Sequence, residues 1–235
     1  MSDEGRRARI VAAITGPGNA RSVGALMHRL CRLAVDEMAL SGCAIVLMSG
    51  PVPLGALASI GRHAATITDL QFELGEGPCL QACASGLPVL MPDLATDTAR
   101  WPAFSPAAVA AGVRAEFSVP LSVGPSGIGT FDLCRAEPGM LSDHHLADVL
   151  VAADIARDAV LSLQEPAANA DFAAMLDVVG SDRLVVHQAT GMIAAQLNDT
   201  TMNALARLRA AAFESGRSIY EIAQDVVARR VGFDE

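Results

Sequence analysis

Few side chains in this chain are suited to covalent or metal chemistry: five cysteines and five histidines among 235 residues. Cys79 and Cys83 are four apart, which puts both thiols on one face of a short helix. That spacing fits neither an unstrained disulfide nor a complete zinc site, which needs about four ligands. No CxxC pair of the metal type occurs, and an odd cysteine count suits a reducing compartment better than a disulfide framework. Cys79 lies at a helix start, where a thiol pKa can be lowered, but buried inert thiols are the commoner case. His144 and His145 are adjacent, point apart on a helix and read as solvated residues. Gly75-x-Gly77 is a turn without the rest of a P-loop or Rossmann fingerprint. The expectation is a protein without catalytic residues, metal or cofactor.

Composition narrows the field further. The net charge of −9 argues against general adhesion to nucleic acid or to an anionic membrane. Residues 1–20 lack the apolar run of a secretory signal and read as a flexible N-terminus. Residues 38–61 carry no charge and are long enough to span a bilayer. Gly42, Gly50, Pro51, Pro53 and Gly55 break that stretch into two short buried strands, 43–48 and 54–60, around a turn. A cytoplasmic protein with no membrane contact follows.

The remaining elements alternate. Residues 23–40 form an amphipathic helix, 64–71 a helix that stops before Gly75-Glu76-Gly77-Pro78, and 79–85 a short helix. Residues 88–91, 113–123 and 127–135 read as strands, the last two joined by a hairpin at Gly124-Pro125-Ser126-Gly127. A long helix over 142–163 closes this unit, which is an α+β domain with a mainly antiparallel sheet. In that helix Leu146, Val149, Ala153, Ala156, Val160 and Leu163 follow steps of three and four. The spacing suits a dimer seam as well as a face packed on its own sheet. A homodimer broken by changing Val149 and Val160 to Glu is expected. Pro166 interrupts, residues 164–170 read as a linker, and Asp171 starts a new helical run.

The C-terminal segment reads as three short helices. Leu184, Val185, Met192, Ile193 and Leu197 give the first a buried stripe, Met202, Leu205, Leu208 and Ala212 the second. Gly216 ends the second helix, and Ser218-Ile219-Tyr220-Glu221 has the capping-box form that starts the third. The third helix turns Ile219, Ile222, Ala223, Val226 and Val227 inward. Ala189 and Gly191 suit close approach of a neighbouring helix, and Gly191→Val is expected to overpack it. Over residues 171–235 six arginines face nine acids, so the segment is acidic by three.

Gln188, Ala189 and Gly191, Leu208-Arg209 and Ala212, and Ala223 together resemble the ANTAR domain, an RNA-binding module of bacterial transcription antiterminators. Thr190 departs from that pattern, because relatives carry a basic residue there. Gln71–Cys79, Trp101-Pro102-Ala103-Phe104 and Gly112-Val113-Arg114 leading to Pro120-Leu121 resemble a GAF domain, a small-ligand or protein-sensing module. Asp132 departs from the apolar strand of relatives and leaves the ligand open. The resemblance implies a GAF-like sensor at 21–163 and an ANTAR-like three-helix domain at 171–235. It implies binding of stem-loops in nascent transcripts to suppress a terminator, under a small-molecule or protein signal. Arg183, Arg207, Arg209 and Arg217 would meet phosphates, Tyr220 would stack on bases, and Gln188, Ala189, Gly191 and Ser218 complete the expected RNA site. The sensor pocket would be lined by Phe72, Cys79, Cys83, Met91, Trp101, Phe104 and Phe117. Two rivals stand beside this reading. One is an enzyme like the free methionine sulfoxide reductases of GAF type, working through Cys79, Cys83 and Cys134. The other is a protein-binding dimerisation adaptor.

Overall fold

The structure, a computed structural model, describes residues 2–15, 22–49, 52–123, 126–162 and 181–233. The uncharged stretch does form two strands, β1 (Gly42–Ser49) and β2 (Val52–Ile60). With β3 (Val89–Met91), β4 (Ala115–Val123) and β5 (Ser126–Arg135) they make one sheet in the order β2-β1-β5-β4-β3. Every neighbouring pair is antiparallel. No helix among the described residues is long and apolar enough to cross a membrane.

Side chains alternate across this sheet with period two. Opposite Leu133 stand Cys43 on one side and Phe117 on the other, and opposite Phe131 stand Ile45 and Val119. These residues form one apolar face, packed in a single core with α2 (Val23–Met38) and α6 (Asp143–Ser162). The other face carries Ala44, Val46, Glu116, Ser118, Thr130 and Asp132, under α3 (Arg62–Leu74) and α4 (Pro78–Ser85). A further helix, α5 (Phe104–Ala110), has no counterpart among the expected elements.

Two expectations change here. Within the segment expected to be flexible, α1 (Asp3–Ile14) is a helix that buries Ile10 and Ile14 in the same core. Arg6 and Arg9 on it meet Asp148 of α6 at 2.7 and 2.6 Å. The apolar seam of α6 is also used internally: Val149, Ala153, Ala156 and Val160 are buried in the core beneath the sheet. Glutamates at Val149 and Val160 would therefore place charges inside the fold rather than part a dimer.

The C-terminal segment is the expected trio: α7 (Ser181–Leu197), α8 (Thr201–Ser215) and α9 (Ile219–Val227). The Thr200 hydroxyl accepts from the Asn203 N–H at 3.2 Å and caps α8. At Ser218 the capping box is complete, with Glu221 N–H donating to Oγ at 3.2 Å and Ser218 N–H to the Glu221 carboxylate at 3.0 Å. Leu205, Leu208, Ile222 and Val226 fill a core of their own, each such side chain contributing about 1.5–3 kcal/mol. The inner stripe of α7 is Val186, Ala189 and Ile193, whereas Leu184 and Met202, expected inside, are 55% and 57% exposed. Gly191 also faces outward, and a Cβ built there meets nothing within 4 Å, so it does not mediate helix packing. Residues 163–180, with the linker and the helical run after Asp171, lie outside the described residues, as do Gly124 and Pro125 of the hairpin turn.

Candidate ligand site and its joint with the helical unit

The polar face of the sheet is where the fold departs from simple packing. Glu116 and Ser118 of β4, and Thr130 and Asp132 of β5, are all at most 4% exposed. The register sets Ser118 opposite Asp132 and Glu116 one step along, opposite Cys134. Thr130 Oγ1 donates to Asp132 Oδ2 at 2.9 Å, and Gln71 Nε2 of α3 donates to Glu116 Oε1 at 2.8 Å. Glu116 Oε2 and Asp132 Oδ1 are buried with no partner among the described residues. Between them and α3 lies a cavity of about 10 Å³, also lined by Ala44, Ala64 and Thr68. That is room for roughly one water molecule, so anything larger must part α3 from the sheet.

Burial governs the electrostatics. Desolvation pushes the Asp132 carboxyl up to about 7, against the nearby Ser118 and Thr130 hydroxyls, which favour its charge. Glu116 is raised well above the usual carboxylate range, by burial first and by Asp132 second. At neutral pH burial thus favours the protonated form of Glu116 and leaves Asp132 near the middle of its titration, so the pair can donate hydrogen bonds or ionise when a cation or donor enters. Cys79, Cys83 and Cys134 are likewise pushed up, chiefly by burial, and persist as thiols.

The α3–α4 turn frames the site. Gln71 Oε1 accepts the N–H of Cys79 at 2.7 Å, so one amide ties Glu116 to the start of α4. Gly77 allows this close approach, since a Cβ there would lie 2.6 Å from Gln71 Oε1. Glu76 Oε1 accepts from the N–H groups of Ala103 and Phe104 at 2.6 and 2.7 Å, holding the first turn of α5.

The seven residues expected to line one pocket are dispersed. Met91, Trp101 and Phe104 pack with Ile67 and Val113 as a separate apolar cluster. Cys83 packs with Ala44 and Val46, and Cys79 is buried at the start of α4. Phe117 points to the opposite, apolar face of the sheet. Phe72 leaves the core of the sheet domain and joins that of the C-terminal helices. Sequence alone carries no signal for Glu116, the lone acid in the strand-like stretch 113–123. Asp132 was marked only as a departure from the family pattern.

The C-terminal side chains divide between two surroundings. Arg209 donates from Nε and Nη2 to the Phe72 carbonyl at 3.0 and 2.7 Å, capping the last turn of α3. Arg183 donates to Asp69 at 2.7 Å and lies 4.9 Å from the centre of the Phe72 ring. Tyr220 stacks on the same ring at 6.1 Å, and His187 meets its edge at 6.1 Å. Gln188, Gly191, Arg207 and Arg217 are exposed, Ser218 is half-buried as the cap of α9, and Ala189 is enclosed. Thr190 is buried, its hydroxyl donating to the Val186 carbonyl at 2.7 Å. Among the described residues no group of three or more candidate ligands could hold a metal ion.

A family model for the GAF domain matches residues 20–160. The chain belongs to the GAF domain family. Its fold is similar to the GAF domain of an Acinetobacter phosphoenolpyruvate-protein phosphotransferase, at 16% identity and a TM-score of 0.54, over 69% of this chain and 96% of that one. A GAF domain from a phosphoenolpyruvate-protein phosphotransferase of Coxiella burnetii is similar at 11% identity and a TM-score of 0.54, over 69% and 94% of the two chains. No curated protein matches the chain. The GAF unit is a sensor module by family, and the acid-lined face beneath α3 holds buried carboxylate oxygens without a partner among the described residues.

Proposed function

We propose that the chain is a non-catalytic signalling regulator in which the GAF sensor controls an ANTAR-like helical output that binds stem-loop RNA and suppresses transcription termination. The observation that carries this reading is the centre of the helical unit. Ala189 and Ala223, two small residues on which the ANTAR resemblance rests, are both fully enclosed where α7 and α9 meet. Outside that core, Gln188, Arg207 and Arg217 are exposed. Arg217 immediately precedes the Ser218 cap, where helix N–H groups favour a phosphate. Its ion pair with Asp225 has a side chain 40% exposed, the kind of pair that holds weakly and yields to a stronger anion. Two copies acting on paired stem-loops would gain avidity, in the cytoplasm where transcripts are made. The buried thiols speak against the reductase reading, which needs a thiolate at Cys79, Cys83 or Cys134.

The adaptor reading has one observation in its favour. Phe213 is 85% exposed and Met202 57% exposed, about three turns apart on one side of α8. Gel shifts of a paired-hairpin RNA against salt concentration separate the two. Arg207→Gln and Arg217→Gln are each expected to weaken binding and to lower the salt slope by about 1. Wild-type affinity at every salt concentration in the double variant would reject this RNA surface.

A further inference from the structure

Phe72 belongs to the sensor in sequence and to the helical unit in packing. It is fully buried, and the groups around its ring come from α7, α8 and α9: the Arg183 guanidinium, Tyr220, His187 and Arg209. Arg209 fits because Gly75 has no side chain, as a Cβ there would stand 2.6 Å from the guanidinium. Among the described residues no carboxylate pairs with Arg209, and its hydrogen bonds go to a backbone carbonyl of the sensor. The Arg183 side chain is only 10% exposed, held by Asp69. Two planar cations and one aromatic ring are thus engaged by a single turn of α3, which leaves Arg183 buried and Arg209 and Tyr220 half-buried. They are also the groups with which a protein meets phosphates and unstacked bases.

The residue before Phe72 faces the other way. Gln71 is fully buried beneath α3 and bridges Glu116 to the N–H of Cys79. Consecutive residues on a helix point about 100° apart, so this one turn holds the acid site with one side chain and the helical unit with the next. Glu116 Oε2 has no partner among the described residues and can take a ligand, but the cavity admits anything larger than about one water only if α3 moves, and Gln71 moves with it.

We infer that α3 and RNA compete for one face of the helical unit, formed by Arg183, Arg209 and Tyr220, and that the Gln71–Phe72 pair is the joint through which the acid site releases that face. The inference rests on the RNA-binding reading above and adds its regulation. In the docked chain only the outer surface with Arg207 and Arg217 is open to RNA. In the released chain both surfaces bind.

The test uses the full chain with Phe72→Ala, Asp69→Asn and Gln71→Leu. Asp69→Asn guards against misfolding, because the Asp69 side chain is 52% exposed and lies outside the sensor core. Hydrogen–deuterium exchange reports release on peptides of α3 and α7, without reference to RNA. Gel shift with a hairpin RNA reports binding. The expected result is faster exchange at the joint in all three variants, with RNA affinity raised at least about tenfold for Phe72→Ala and less for the other two. Arg209→Gln should also speed exchange but lower the affinity, because it removes a contact from both partners. Released variants that bind hairpin RNA no better than wild type overturn the competition and leave the RNA reading standing. Wild-type exchange in Phe72→Ala and Asp69→Asn overturns the joint itself. If no variant binds hairpin RNA although exchange shows release, the RNA reading falls and the competition with it.

Discussion

The two faces of the GAF sheet are made by the same strands and differ in almost everything else. On one, Ile45, Phe117, Phe131 and Leu133 pack without polar atoms against α2 and α6. On the other, Glu116, Ser118, Thr130 and Asp132 are as deeply buried, yet several of their oxygens have no partner among the described residues. Period two makes such a division simple to encode, since each strand supplies alternate residues to each side. The contrast teaches where stability and responsiveness are kept apart. The apolar face contributes folding free energy, and the polar face spends part of it to keep carboxyls away from water.

Breaking the apolar face should have the largest effect. Phe131→Ala removes a fully buried ring at the sheet centre and is expected to cost about 3–5 kcal/mol in urea unfolding. Asp132→Asn, on the other face, should act in the opposite direction and only in part of the pH range. A carboxyl whose pKa is raised from 3.8 to about 7 binds its proton more tightly in the folded chain. Stability from this group is therefore greatest below about pH 4 and declines as pH rises to about 7. The asparagine removes that decline, so the variant should gain on the order of 2–4 kcal/mol at pH 8 and little at pH 4. Melting curves at the two pH values check this, and an equal shift at both would refute the buried-acid account. The smallest effect is expected from Thr130→Val, which takes one hydrogen bond from the Asp132 carboxylate. It should move the pH of half-decline upward and change stability by about 1 kcal/mol at pH 8.

The elements of the sensor were legible where pattern and punctuation agree. An uncharged run broken by a Pro/Gly turn marks β1 and β2, and the Ser218–Glu221 spacing marks α9 down to its capping box. The α1 helix was not legible, because its charged residues look like a solvated tail until Asp148 supplies their partner. The candidate site was legible only in its neighbourhood. Gln71–Cys79 was recognised as a segment, but the direction each side chain takes depends on what packs on α3. Phe72 reads as a pocket residue in sequence and turns outward because the helical unit provides rings and guanidiniums to receive it. For the same reason Leu184 and Met202 were assigned to inner stripes they do not occupy: a stripe two or three residues wide can rotate by one position without disturbing its period.

The pairing of α1 with α6 has a mechanical consequence. Arg6 and Arg9 grip Asp148 from the first helix of the chain, and Asp148 sits on the last helix of the sensor. The two ends of the module are thereby latched side by side rather than at opposite poles. A pull or twist applied at α1 would load α6 directly and bypass the sheet, so the sensor behaves as a closed buckle in the path of that force. The acid-lined side under α3 lies across the sheet from that buckle.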